Sequence, residues 1–306
     1  MNELFEDYTE SRDSAGDATH ADAAYTALTE VSQWLRGSPA DAALTNAIRA
    51  NRLGTALLFY GPEGVGLWAG AIALAAFLNC RNHDSATALA GACGVCPPCR
   101  QIAAYTFADL HLAFPVPSSK KEEEDNELRE EYLAQKRSEP FTIITWDRQS
   151  GISIDRARAV RRSLSQKASA DATRIVLFHE VEKMMPAAVD ALLRMIEEPP
   201  PQTIFILTSS APEAVAPTAL SRCQRLRFPT LALQRVEEFL RQRVDLAPAR
   251  LSAAARLAQG SPGRALELAR EFSQEEAEQT SDREVSWLTF KAVFVESPAV
   301  AVDVLQ

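Results

Sequence analysis

The 306-residue sequence is short of positive charge: 32 Lys and Arg stand against 41 Asp and Glu, a net charge of −9. That balance excludes a protein that coats nucleic acid over its whole surface. Any role beside DNA then needs positive charge from another chain. Long apolar runs are missing as well. The most apolar stretch, Leu67 to Leu78, is too short and too rich in Gly and Ala to span a bilayer. The opening segment, Met1 to His20, is acidic and polar, unlike a secretory leader. A cytoplasmic location without a membrane partner is therefore expected, and thiols there stay reduced. Five cysteines, an odd number in a long chain, argue against a disulfide framework. No internal repeat stands out. What remains is 46% hydrophobic and 24% charged. That is the composition of a globular protein with a sizeable core and about two domains.

Residues 1–24 read as a polar tail. Tyr25 to Asn51 has helical periodicity, with Leu28, Val31, Leu35, Leu44 and Ile48 on the buried side. Strands are expected at Ala56–Tyr60, Asp109–Phe114, Ile175–Phe178, Thr203–Thr208 and Arg225–Phe228. Helical patterns at Leu67–Asn79, Ile154–Gln166 and Pro186–Glu198 alternate with them. This predicts an α/β core over residues 25–229, a parallel sheet with crossover helices. Residues 118–139 carry eight acids and five bases in 22 positions and read as a solvated, partly helical insertion. Residues 230–273 suggest a small all-helical domain, with turns at Ala247–Pro248 and Ser261–Pro262–Gly263. Residues 274–306, with Trp287, Leu288, Phe290, Val293 and Phe294, suggest one or two further helices.

The first strand runs into Gly61-Pro62-Glu63-Gly64-Val65-Gly66-Leu67-Trp68. A phosphate-binding loop needs spaced glycines, so that successive N–H groups curl around an anion, then Lys and a hydroxyl for phosphate and Mg²⁺. Gly61, Gly64 and Gly66 keep the scaffold, but Leu67 and Trp68 replace the Lys and the hydroxyl. The strand Ile175–Phe178 ends in His179-Glu180, where an ATPase wants Asp then Glu. Glu180 remains, while an imidazole is a poor partner for hydrated Mg²⁺. His179 reads as a hydrogen-bonded strand-end histidine. ATP hydrolysis in cis is not expected, and weak backbone contact with a nucleotide stays open. Further on, Val189, Leu192, Leu193 and Ile196 form a buried helical stripe. Glu197 and Glu198 then crowd the last turn, where the helix dipole disfavours them.

Cys80-x12-Cys93-x2-Cys96-x2-Cys99 supplies four soft thiolates, enough for tetrahedral Zn²⁺ with no position left for water. The expected role is structural. Iron–sulfur ligation satisfies the same spacing. A zinc deaminase would need H-x-E, and His83 is followed by Asp84 and Ser85.

The run Ala188-Val189-Asp190-Ala191-Leu192-Leu193-Arg194-Met195-Ile196-Glu197-Glu198-Pro199-Pro200 closely resembles the clamp-loader branch of the AAA+ proteins. Ser221-Arg222-Cys223 resembles that family's S-R-C motif. The cysteine cluster lies where bacterial members carry a zinc module. Gly260-Ser261-Pro262-Gly263-Arg264-Ala265 resembles its sensor 2 motif. The resemblance covers about Leu44 to Arg270. It implies an AAA+ core with an inserted zinc module, residues 80–99, then a helical lid. The lost Lys, hydroxyl and Asp are similar to the non-hydrolysing delta prime branch rather than to the ATP-hydrolysing gamma/tau branch. The implied function is an accessory subunit of a DNA polymerase III holoenzyme that works with gamma/tau and delta subunits, and through the assembly with a sliding clamp and primer–template DNA. Arg222 would be an arginine finger offered in trans to a neighbour's ATP, and Arg264 the sensor 2 arginine. Cys223 reads as a small buried residue. The family's third, helical collar domain would have to start within residues 274–306. Two other readings remain: an active ATPase of gamma/tau type with an atypical loop, and a stand-alone zinc module for nucleic acid. The acidic charge speaks against the second.

Overall fold

The computed structural model describes residues 32–274, apart from residues 120, 167 and 170. The polar tail and the segment with Trp287 to Phe294 lie outside them. The chain divides at Leu231/Ala232 into two compact units.

The first unit is built on five parallel strands: β1 (Ala56–Tyr60), β2 (Leu110–Ala113), β5 (Arg174–Phe178), β6 (Thr203–Ser209) and β7 (Gln224–Arg227). Their order across the sheet is β2-β5-β6-β1-β7. The parallel core expected from the sequence is therefore present. β5 is buried at every position, as a parallel strand covered on both faces must be. Leu58, Val176, Phe178, Phe205 and Leu207 pack on one face with Val160, Leu192 and Ile196. Those three come from the helices Ile154–Ser163 and Pro186–Glu197. The alternate residues Leu57, Phe59, Ile175, Leu177 and Ile206 are buried on the opposite face. There the helix Leu67–Asn79 is apolar all round and buried from Leu67 through Phe77. It is thus a core helix; among the described residues no helix is long and apolar enough to cross a membrane. Gly70 is required by this packing, because a Cβ there would meet the Phe228 ring at 2.6 Å.

Two expectations need correction. The helical pattern read over Tyr25–Asn51, whose Leu28 and Val31 lie outside the described residues, is interrupted: Gly37 has φ +71° and Ser38 caps a new helix, Pro39–Arg49. The Ser38 hydroxyl accepts from the Asp41 N–H, and Pro39 occupies the first turn, where its missing N–H costs nothing. The insertion 118–139 is not merely solvated. Its helical part is present as expected, the helix Glu122–Ser138, with acids in the first turn and Lys136 and Arg137 in the last, matched to the helix dipole. Tyr132 and Lys136 on this helix are buried. A small antiparallel ribbon, β3 (Val116–Pro117) with β4 (Ser150–Gly151), frames its ends. The second unit holds the helices Leu233–Arg241 and Pro248–Leu257 and a helix running from residue 262 to residue 274.

Candidate functional site

The glycine loop sits at the carboxyl end of β1, beside the ends of β5 and β6, the customary ligand crevice of an open α/β sheet. Gly61, Gly64, Gly66, Leu67, Trp68, His179 and Glu180 all come to this edge. Yet the crevice is filled by the chain itself. Gly66, at φ +96°, lies under the Phe141 ring, and a Cβ there would come within 2.4 Å of it. A Cβ on Gly61 would come within 2.2 Å of the Phe228 carbonyl oxygen. Close packing therefore suffices to require both loop glycines, with no phosphate. The cavity left among Glu63, Gly66, Lys136, Phe141 and Glu180 is about 30 Å³, room for one water. Ordinary ligand sites offer roughly 300–1,000 Å³.

Trp68 is the centre of the filling. Its ring is 1% exposed and meets Tyr105, Phe114, Tyr132 and His179 edge-on, with centroids 5.1–6.0 Å away. Its indole N–H donates to the Tyr105 hydroxyl at 2.9 Å, and that hydroxyl donates to the Lys136 carbonyl at 3.1 Å. The Lys136 ammonium lies 5.7 Å from the centroids of both the Trp68 and Tyr132 rings and donates to the Thr142 carbonyl at 2.6 Å. Burial pushes its pKa down to about 8, against the pull of Glu180 and Glu63.

At the end of β5, His179 is buried, and its Nδ1 lies 2.6 Å from the Thr208 hydroxyl. That hydroxyl also accepts from the Glu180 N–H at 3.1 Å. Donating its own proton to Nδ1 completes the arrangement and leaves the histidine proton on Nε2. Burial, then the Lys136 and Lys183 charges, hold His179 well below the usual imidazole range, so it is neutral. Burial raises the Glu180 carboxyl, although Lys183 approaches it at 2.8 Å. Glu180 is thus paired with Lys183 on the next turn of the chain.

The four cysteines form the second cluster. All four sulfurs lie within 4.8 Å of one another. A tetrahedral ion with bonds of about 2.3 Å needs them about 3.8 Å apart, within a small adjustment. Cys80 closes the helix Leu67–Asn79, and Cys96 and Cys99 sit at the start of the helix Pro97–Ala103. The N–H groups of Asn82 and Cys93 point at the Cys80 sulfur at 3.4 and 3.2 Å, as donors to a thiolate would. The cluster therefore fits a metal ion such as zinc. Asp41, 3% exposed, ties the intervening loop down. Its carboxylate accepts from the Thr87 hydroxyl at 2.7 Å and from the Leu89 and Gly37 N–H groups at 2.9 Å.

Arg222 is brought nowhere near the glycine loop. Gln224 pairs with Leu57 at the start of the parallel pair β1/β7, whereas the loop follows Tyr60 at the far end. Arg222 therefore lies at the amino edge of the sheet and cannot serve its own loop. Its Nη2 is 2.7 Å from the Glu197 carboxylate, and its Nη1 donates to the Thr218 carbonyl at 2.8 Å. Cys223 is half-buried against the core. Arg264 is exposed in the second unit, in a helix whose first turn is capped by Ser261.

Sequence reasoning missed Lys136, Tyr132, Phe141, Asp41 and the partner of Arg222. A signal existed for two of them: Leu128, Tyr132 and Lys136 follow at i, i+4 and i+8, one stripe on an otherwise charged helix.

Comparison with known proteins agrees with this construction. A family model described as DNA polymerase III, delta subunit, matches residues 38–232. The DNA polymerase III subunit delta' of Pseudomonas aeruginosa is 31% identical over 174 residues, 57% of this chain and 43% of that one. Subunit delta' of Escherichia coli is 28% identical over 235 residues, 77% of this chain and 60% of its own length. Subunit tau of Escherichia coli is 27% identical over 231 residues, 74% of this chain and 30% of its own length. The chain thus spans less than two thirds of each of these relatives. With the parallel sheet, the cysteine cluster and a family match over residues 38–232, the chain belongs to the DNA polymerase III delta-subunit family, a bacterial clamp-loader family, and within it resembles the delta' subunits.

Proposed function

We propose that this chain is a non-hydrolysing, delta prime-like clamp-loader subunit that completes a neighbour's ATP site. The observation that carries the reading is the filled crevice. Where a hydrolysing relative needs room for nucleotide and Mg²⁺, Trp68, Phe141 and Lys136 leave about 30 Å³. The residues lost from the loop, Lys and a hydroxyl, are the ones that would neutralise phosphate and hold the metal. Arg222, at the opposite edge, offers permanent planar charge out of reach of its own glycine loop. Supplied in trans, such an arginine stabilises the charge of phosphoryl transfer. The partners in this reading are gamma/tau and delta subunits, and through the assembly a sliding clamp and primer–template DNA. Residues 230–273 would be the helical lid, carrying the sensor 2-like Arg264, and residues 274–306 the start of a collar. Cys80, Cys93, Cys96 and Cys99 would hold Zn²⁺ as a structural clip between two helices, with no catalytic part.

The test uses the purified full chain alone and with those partners. Alone it should bind no labelled ATP on filters and show no ATPase above background. In the reconstituted loader, Arg222→Ala should lower the clamp- and DNA-stimulated ATPase. At the affected site the loss of an arginine finger is on the order of 10³-fold or more. Turnover by the contaminant-free chain, or a mutant loader with unchanged ATPase and clamp loading, would refute the proposal.

A further inference from the structure

Two motif residues with no evident stability role meet at the amino edge of the sheet. Glu197 stands in the last turn of the helix Pro186–Glu197, where the dipole disfavours an acid. Its carboxylate lies 2.7 Å from Arg222 Nη2, with the two side chains 45% and 39% exposed. An ion pair so open to water contributes little to folding, so stability does not account for it. We propose that Glu197 is a positioning residue for Arg222, fixing the guanidinium in the orientation it presents to a nucleotide on a neighbouring subunit; this rests on the trans-acting reading of Arg222 above.

The geometry supports it in three ways. First, the guanidinium is held by two separate elements. Glu197, at the end of one helix, takes Nη2, while the Thr218 carbonyl, in the short helix Pro217–Leu220, takes Nη1 at 2.8 Å. The Ser221 hydroxyl lies 3.4 Å from the same Nη1. Two anchors on a rigid planar group define its plane, which one anchor cannot do. Second, these contacts leave the Nε–H without an acceptor among the described residues, beside an Nη2 that meets the Glu197 carboxylate as an ion pair. A pair of donors on one edge of a guanidinium is the fork that matches two oxygens of a phosphate. Third, an arginine held in place before the neighbour docks has less rotamer freedom to lose when the phosphate arrives. Glu197 and Arg222 come from motifs about 25 residues apart in sequence and meet only through the fold.

The test reconstitutes the full chain with its ATP-hydrolysing partners and compares Glu197→Ala, Glu197→Gln, Arg222→Ala and the double variant. Glu197→Ala should lower the kcat of stimulated ATP hydrolysis at the affected site about tenfold, a positioning loss smaller than loss of the finger. KM for ATP should not change, because the neighbour holds the nucleotide. Glu197→Gln keeps a carbonyl oxygen that can accept from Nη2 and should recover most of the rate. Glu197→Ala with Arg222→Ala should be no slower than Arg222→Ala alone, since both act through one group. All four chains should melt together. If Arg222→Ala slows the loader while Glu197→Ala runs at the wild-type rate, the positioning role is refuted and the trans-acting arginine stands. If Arg222→Ala itself is without effect, both fall.

Discussion

At the carboxyl edge of the sheet, where open α/β folds ordinarily bind their ligands, this chain has packed Trp68, Tyr132 and Phe141 around a buried lysine and a neutral histidine. At the amino edge it keeps chemistry in reach of other molecules. The cysteine cluster follows the helix Leu67–Asn79 there, anchored where Asn79 exchanges hydrogen bonds with Thr173, just ahead of β5. Glu197 and Arg222 share that edge. The contrast teaches that one scaffold can close one edge with packing and leave charged and thiol groups on the other. Leu67 and Trp68, which stand where a phosphate loop has Lys and a hydroxyl, are core, and the loop glycines are packed against Phe141 and Phe228. The amino edge instead carries a thiol cluster and a solvent-open ion pair, and its loss would be felt differently.

The largest expected effect is at the amino edge. Cys99→Ser should drop the metal content below one equivalent by elemental analysis and loosen residues 80–99; structural zinc sites in isolated peptides contribute on the order of 10 kcal/mol of apparent folding energy. Full metal content in the variant would break the comparison, since the cluster would then not be a coordination shell. Next comes the carboxyl edge. Trp68→Ala should destabilise the chain by about 3–5 kcal/mol in urea titration without conferring ATP binding, because Leu67 still replaces the lysine. Appearance of ATP binding would mean that the filling alone had closed the site.

A smaller effect concerns pH. Buried His179 stays neutral when folded and titrates near 6.5 when unfolded. Below that pH the unfolded chain binds the extra proton, so stability falls as the solution is acidified, by at most about 1.4 kcal/mol per pH unit from this residue. His179→Gln should flatten the fall between pH 6.5 and 5, read as the difference between the two melting profiles; identical profiles would place a charged histidine in the crevice. Last, Arg222→Ala should change stability by less than about 1 kcal/mol, whatever it does to the loader. A larger loss in urea titration would make Arg222 part of the scaffold and erase the difference between the two edges.

Much of the carboxyl edge was legible early because its signals are local. The strand Ala56–Tyr60, the loop and the helix Leu67–Asn79 are consecutive, and the missing lysine and hydroxyl can be read position by position. What filled the space could not be read that way. Lys136 and Phe141 lie some 70 residues downstream in a segment whose charge suggests a solvated surface. Two buried residues in a 17-residue helix are outvoted by the rest when composition is averaged. Asp41 escaped for a similar reason: an acid early in a helix reads as a dipole partner, and its buried role appears only when residues 84–91 fold against it.

The alternation of strands and helices, the cysteine spacing, Leu67 and Trp68 at the Lys and hydroxyl positions of the loop, and the S-R-C and E-E-P-P segments were determined by the sequence itself, because each rests on periodicity or on residues close together in the chain. That the loop glycines serve packing, that a lysine sits under aromatic rings, and that Arg222 is paired with Glu197 at the edge away from its own loop were decided only by tertiary structure. Parallel strand order carries neighbouring segments to opposite edges of a sheet and brings distant ones together, and no local pattern records which side chain will meet which.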